Sequence, residues 1–221
     1  MAHGPDTDKL LQRIANMRYF RLELGGLNIT SLPDLPEDLK ELNCQNISLK
    51  SLPKLPDNLH TLHCGENPLT SLPELPNGLQ YLDCHGCPIT TLPHLPSQLK
   101  VLWCFDCPIT ALPKLPSSLQ RLFCYNTQIK SLPELPKYLT FLSCNNTPLM
   151  TLPDLPMALQ DLLCHSCPNF TIQPNINESR IEYKNRLLDD QSKQRIKKRC
   201  RVIAEDLMVE FWKPERVDMG Y

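Results

Sequence analysis

Glycine is scarce in this chain, with 7 residues in 221, and so is charge of one sign, since 23 basic and 24 acidic side chains leave a formal net charge of -1. A balance that near to neutral lacks the basic excess that would make nucleic acid or an anionic membrane the default partner. Long apolar runs are missing too. No segment approaches the eighteen or so apolar residues that span a bilayer, and the opening MAHGPDTDK has no stretch of signal-peptide length. These absences predict a soluble, cytoplasmic protein. No glycine-rich phosphate loop occurs, and spacing singles out no set of Ser, His and acidic residues, so nothing points to an enzyme or a bound cofactor.

What is abundant is proline, 22 residues, and cysteine, 11. Proline without glycine is not a flexible linker. The cysteine count is odd and no export signal precedes it, so the thiols are expected to stay reduced rather than form disulfides. Both excesses come from a repeat of twenty residues, L-P-x-L-P-x-x-L-x-x-L-x-C-x-x-x-x-(L/I)-x-x, starting at Leu32, Leu52, Leu72, Leu92, Leu112, Leu132 and Leu152 without insertion or deletion. A fixed period of this size means stacked units. A degenerate earlier copy, Tyr19 to Ser31, keeps Leu22, Leu24 and Ile29 in register, with leucine in the cysteine slot.

In each unit L-x-x-L-x-C alternates as a short strand with one buried face; Leu42 and Cys44 point inward, and Glu41, Asn43 and Gln45 point outward. Neighbouring units supply the adjacent strands, giving a parallel sheet with ladders of leucine and cysteine. The L-P-x-L-P segment has two prolines that fix φ and withhold donors, so it is expected to return along the back as an extended, polyproline-like run.

The unit resembles the leucine-rich repeat in its short L-P-x-L-P form, familiar from bacterial secreted effectors and from giant DNA viruses of amoebae. The cysteine at the end of the strand and the tail R-C-R-V-I-A-E-D-L-M-V-E-F-W-K-P-E-R-V, Arg199 to Val217, resemble the giant-virus proteins most. The resemblance implies an α/β repeat solenoid with a concave parallel sheet. The family's asparagine slot holds Ile47, Asn67, Cys87, Cys107, Thr127, Thr147 and Cys167 here, and Ile47 departs from the pattern, so irregularity is expected near the first full repeat.

A solenoid needs caps on its end rungs. The sequence predicts an N-terminal helical cap over 1–18, starting on Thr7 or Asp8 and carrying Leu10, Leu11, Ile14 and Met17 on one side. The solenoid is assigned to 19–170, about eight rungs. A C-terminal helical cap is assigned to 171–221, with Ile181 and Leu188 on a first helix, Ile196, Cys200, Ile203 and Leu207 on a second, and Pro214 stopping it.

Three C-x-x-C pairs, Cys84 with Cys87, Cys104 with Cys107 and Cys164 with Cys167, invite a metal reading. The first member of each pair, however, fills a slot that is cysteine in every full repeat, paired or not, and is read as small apolar filling. The second stands in the asparagine slot and is read as a loop cap. Cys200, in K-R-C-R-V-I, is no recognisable nucleophile, and the basic run Arg195 to Arg201 is read as a solvated helix face rather than a nuclear or nucleic-acid signal.

The outward strand positions carry the functional expectation. Trp103, Phe105, Phe123 and Tyr125 fall on two neighbouring rungs as a two-by-two block, flanked by Tyr81, Val101, Arg121 and Phe141. Aromatics and arginine are the usual interface anchors. The expectation is a non-catalytic module that binds a protein partner, a host protein if the viral resemblance holds, through Tyr81, Trp103, Phe105, Arg121, Phe123, Tyr125 and Phe141. Its place would then be the host cytoplasm or the virion. The competing expectation is a structural or virion-packaged protein that forms a homodimer through the same patch.

Overall fold

A computed structural model describes residues 6–164, 166–167, 185–186 and 189–191 of the chain. The chain divides into two units, Met1–Pro174 and Asn175–Tyr221. In the second, residues 185–186 and 189–191 are helical. The second predicted C-terminal helix, its basic run, Pro214 and the tail motif lie outside the described residues.

The first unit starts with a helix, α1 (Thr7–Ala15), followed by eight three-residue strands: β1 (Arg21–Glu23), β2 (Glu41–Asn43), β3 (Thr61–His63), β4 (Tyr81–Asp83), β5 (Val101–Trp103), β6 (Arg121–Phe123), β7 (Phe141–Ser143) and β8 (Asp161–Leu163). They form one sheet in sequence order, and the adjacent strands are parallel. The register is the repeat itself: Leu22 faces Leu42, Leu42 faces Leu62, and so on to Leu142 and Leu162. The degenerate copy is thus the first rung. This is the leucine-rich-repeat solenoid that the sequence resembles.

The core follows the inward positions. Each central strand leucine and each cysteine just after the strand is at most 3% exposed, as are Leu39, Leu59, Leu79, Leu99, Leu119, Leu139 and Leu159. No rung could bury these alone, so the stability is shared between neighbours. The L-P-x-L-P segments are neither helix nor strand, and each ends in a turn in which Leu39 N–H donates to the Pro36 carbonyl, a bond repeated at 3.0–3.1 Å down to Leu159 and Pro156.

After each of β2 to β8 the chain turns through the left-handed region, at Asn46, Glu66, Gly86, Asp106, Asn126, Asn146 and Ser166, with φ between 51° and 64°. Asparagine, aspartate and glycine tolerate that region best, and they hold five of these seven positions. One residue further on, the asparagine slot fastens the loop. Asn67 accepts at Oδ1 from the Ile47 and Leu49 amides, at 3.1 and 3.0 Å, and its Nδ2 donates to the carbonyls of Cys44, Cys64 and Gly65. Elsewhere the thiols of Cys87, Cys107 and Cys167 donate to the Cys64, Cys84 and Cys144 carbonyls at 3.2–3.4 Å, and the Thr127 and Thr147 hydroxyls to Cys124 and Cys144 at 2.8 Å. The second cysteines of the pairs are therefore loop caps, weaker versions of Asn67.

Ile47 has no polar atom to offer, and the irregularity expected there is present: Ser48 also takes a positive φ, 69°. Most other rungs have proline at that position, which forbids it. Asn67→Ala removes the anchor of this stretch and leaves two buried amides and three carbonyls to find new partners. A loss of about 2 to 3 kcal/mol is expected in urea unfolding, against about 1 kcal/mol or less for Cys87→Ala.

The N-terminal cap differs in detail from expectation. The N-cap residue of α1 is Asp6, not Thr7 or Asp8, and its carboxylate is bonded to Lys9 Nζ at 2.6 Å and to the Asn28 amide at 3.0 Å rather than to the helix end. That contact with the first rung sets where the helix starts. Leu10 is buried and Ile14 and Met17 are partly so, but Leu11 is 53% exposed and belongs to the other side, and Met17 lies beyond the helix end. The chain enters β1 through a tight turn, with Arg21 N–H donating to the Arg18 carbonyl at 3.2 Å while Tyr19 and Phe20 both hold positive φ.

Candidate interaction surface

Outward side chains at equal positions on successive rungs lie one strand spacing apart, roughly 4.8 Å, which is close to the stacking distance of flat rings. The surface uses that coincidence. Trp103 on β5 and Phe123 on β6 stack with centroids 5.8 Å apart and planes at 19°, and Phe141 on β7 joins Phe123 at 4.7 Å. Phe105 and Tyr125, which follow β5 and β6, stack at 4.4 Å and 11°. The four expected residues thus form two parallel columns, each ring half-buried by its neighbours and half-open. Arg121 is exposed beside them, in register between Val101 and Phe141. Val101 is buried, and Tyr81, 36% exposed on β4, makes no ring contact with either column among the described residues.

Sequence reading missed the polar end of this surface. Asp83 is 7% exposed and accepts from Gln45 Nε2 at 2.6 Å, from His85 Nδ1 at 2.7 Å and from the His85 amide at 3.2 Å, with His63 Nδ1 at 3.4 Å. Burial alone would push its carboxyl up and is the largest single influence. Hydrogen bonds from His63 and His85, with the charge of His85, outweigh it and hold the group below the usual carboxylate range. His85 is the mirror case: burial pulls its imidazole down, but Asp83 and Glu66 together raise it above its ordinary value. The visible signal was Gly65, the one glycine in this outward slot among the full repeats; a Cβ there would come within 2.5 Å of His85 Nδ1.

These shifts have opposite pH consequences. Asp83, lowered, contributes stability that is present above its unfolded pKa and lost as pH falls through the folded one. His85, raised, contributes stability that is present below its unfolded pKa and lost as pH rises through the folded one. The cluster should stabilise most between about pH 4 and pH 6.5. Urea unfolding of wild type should therefore show a drop in stability between pH 6 and pH 8 that His85→Gln reduces, and a pH-independent difference between the two would contradict the assignment.

Among the described residues the cysteines are buried thiols. Burial pushes the thiols of Cys44 and Cys124 up to about 12 and that of Cys87 to about 11, and raises Cys64, Cys104 and Cys144 as well. Cys107 is lowered, chiefly by a hydrogen bond with Cys84, yet it is 1% exposed. All ten described cysteines are buried. Among the described residues no three His, Cys, Asp or Glu side chains are arranged to hold a metal ion, and no helix is long and apolar enough to cross a membrane.

Comparison with known proteins agrees with the geometry. The family of leucine-rich repeats in two copies matches residues 57–97. Among solved structures, the leucine-rich effector protein YopM from Yersinia pestis is 34% identical over 74% of this chain and 48% of that chain, with a TM-score of 0.68. The leucine-rich-repeat domain of a Shigella effector is 29% identical, over 69% of this chain and 62% of that chain, with a TM-score of 0.49. No curated protein matches the chain. This chain spans about half the length of the Yersinia pestis protein. Fold, repeat and match together show a leucine-rich-repeat solenoid of the twenty-residue type. Such solenoids are generally interaction scaffolds that present a long surface rather than catalysts.

Proposed function

We propose that this chain is a non-catalytic binding module whose concave sheet grips a protein partner through Trp103, Phe105, Phe123 and Tyr125, with Tyr81, Arg121 and Phe141 at the margin. The observation that carries the reading is the pair of stacked, half-open aromatic columns on an otherwise mostly polar sheet face. Ring on ring stacking fixes the side chains before any partner arrives, which lowers the ordering cost of binding. The likeness to a leucine-rich effector protein supports a host protein as partner and a host cytoplasm as the place of action. The resemblance to giant-virus proteins rests on sequence motifs alone.

Affinity capture from host lysate, wild type beside Trp103→Ala with Phe123→Ala, tests the proposal together with solution mass. Loss of a specific partner with the monomer mass unchanged supports it. A stable wild-type dimer that Trp103→Asp dissolves would instead favour self-association through the same columns.

A further inference from the structure

Both aromatic columns end, toward the N-terminal rungs, on a histidine. His63 lies 6.2 Å from Trp103, and His85 stacks on Phe105 at 4.6 Å with 18° between the planes. The His85 ring is packed on two sides: it lies over Gly65 on the rung before, where a Cβ would clash with it, and stacks on Phe105 on the rung after. The ring is caught between two carboxylates, with Nδ1 at 2.7 Å from Asp83 and Nε2 at 3.6 Å from Glu66. A neutral imidazole has a single N–H and cannot satisfy both. Whichever nitrogen keeps the proton, the other turns a lone pair toward a carboxylate. The imidazolium donates from Nδ1 to Asp83 and sets a positively charged Nε2–H at ion-pair distance from Glu66.

We propose that His85 is a proton-operated clamp on the binding face, whose imidazolium bridges Asp83 and Glu66 and locks the Phe105–Tyr125 column, and whose neutral form releases Glu66 and loosens that column. The proposal rests on the reading of this face as the binding surface, and it makes partner binding tighter in mildly acidic than in alkaline medium. An imidazolium stacked on Phe105 adds a cation–π attraction in the locked state. The titratable groups facing His85 are Asp83 on its own rung, Glu66 and, through Asp83, His63 on the rung before, and Cys107 on the rung after, with Asp106 and Tyr125 further along. Burial lowers the imidazole, but Asp83 and Glu66 outweigh it and raise the group above its ordinary value, and histidine is the side chain that ordinarily changes charge near neutral pH.

The test uses the full chain without a partner. Histidine, phenylalanine and tyrosine ring signals are followed by NMR from pH 9 to pH 5 in wild type, Glu66→Gln and His85→Gln. Glu66 is exposed on its turn, so its conservative substitution leaves the fold intact. In wild type, the Phe105 and Tyr125 signals should shift with the same midpoint as His85, above about 6.5. Glu66→Gln should lower that midpoint by about half a unit to one unit, up to a tenfold loss of proton affinity. Rings that ignore pH, or that titrate equally in His85→Gln, would overturn the clamp. That result would leave the binding proposal standing as long as Trp103→Ala with Phe123→Ala still abolishes capture, so the two failures are distinguishable.

Discussion

Leu102→Ala is expected to destabilise the protein by about 2 to 5 kcal/mol, the cost of removing a large apolar side chain from a site that cannot collapse around the gap. Leu102 is fully buried and sits in the middle of the ladder, with Leu82 on one side and Leu122 on the other. Backbone hydrogen bonds on both flanks hold the strand in place: the Cys84 amide donates to the Trp103 carbonyl at 2.9 Å, and the Cys104 amide to that of Phe123 at 2.9 Å. Neither neighbour can close in without breaking its own rung. In a stack of units that contact only their neighbours, such a defect can also split the cooperative transition in two. Urea unfolding followed by circular dichroism measures the loss, and a value under 1 kcal/mol would contradict the register.

One residue on, the expected outcome reverses. Trp103→Ala with Phe123→Ala should leave thermal stability within a few degrees of wild type while weakening the captured partner by roughly a thousandfold, if two central anchors contribute about 2 kcal/mol each and add. Their rings stack on each other, and Phe123 also stacks on Phe141; aromatic pairs contribute about 0.5 to 1.5 kcal/mol, so some stability is lost. That loss is small beside the cavity at Leu102, because both rings are half-open while Leu102 is enclosed. Asn43→Ala and Asn145→Ala, outside the columns, should change capture little. Surface plasmon resonance on the captured partner separates these outcomes.

Much of the solenoid was legible because its signal is exact repetition. Leucine and cysteine every twenty residues can satisfy their burial only by stacking in register, so strand order, pairing and the inward ladders all followed from the spacing. The second cysteines were readable as loop caps because the slot also holds asparagine and threonine. Ile47 was visible as a misfit, though that Ser48 would take up the strain was not.

Where physics depends on contacts between different positions, the sequence was silent. The start of α1 depends on Asp6 turning to Lys9 and Asn28, a choice that capping preference alone does not reveal. The Asp83 cluster joins Gln45, His63, Glu66 and His85, drawn from three rungs and three different slots, so no period exposes it. The block of four rings was found from adjacency, but the half-burial of each ring comes from stacking geometry.

Site-specific photo-crosslinking tests the central claim most directly. A benzophenone side chain replaces Phe105 on the sheet in one sample and Met157, 92% exposed on the proline-rich side, in another. The account predicts that a partner bound to the full chain is labelled from position 105 and not from position 157. Labelling from position 157 alone would place binding away from the aromatic columns and contradict it.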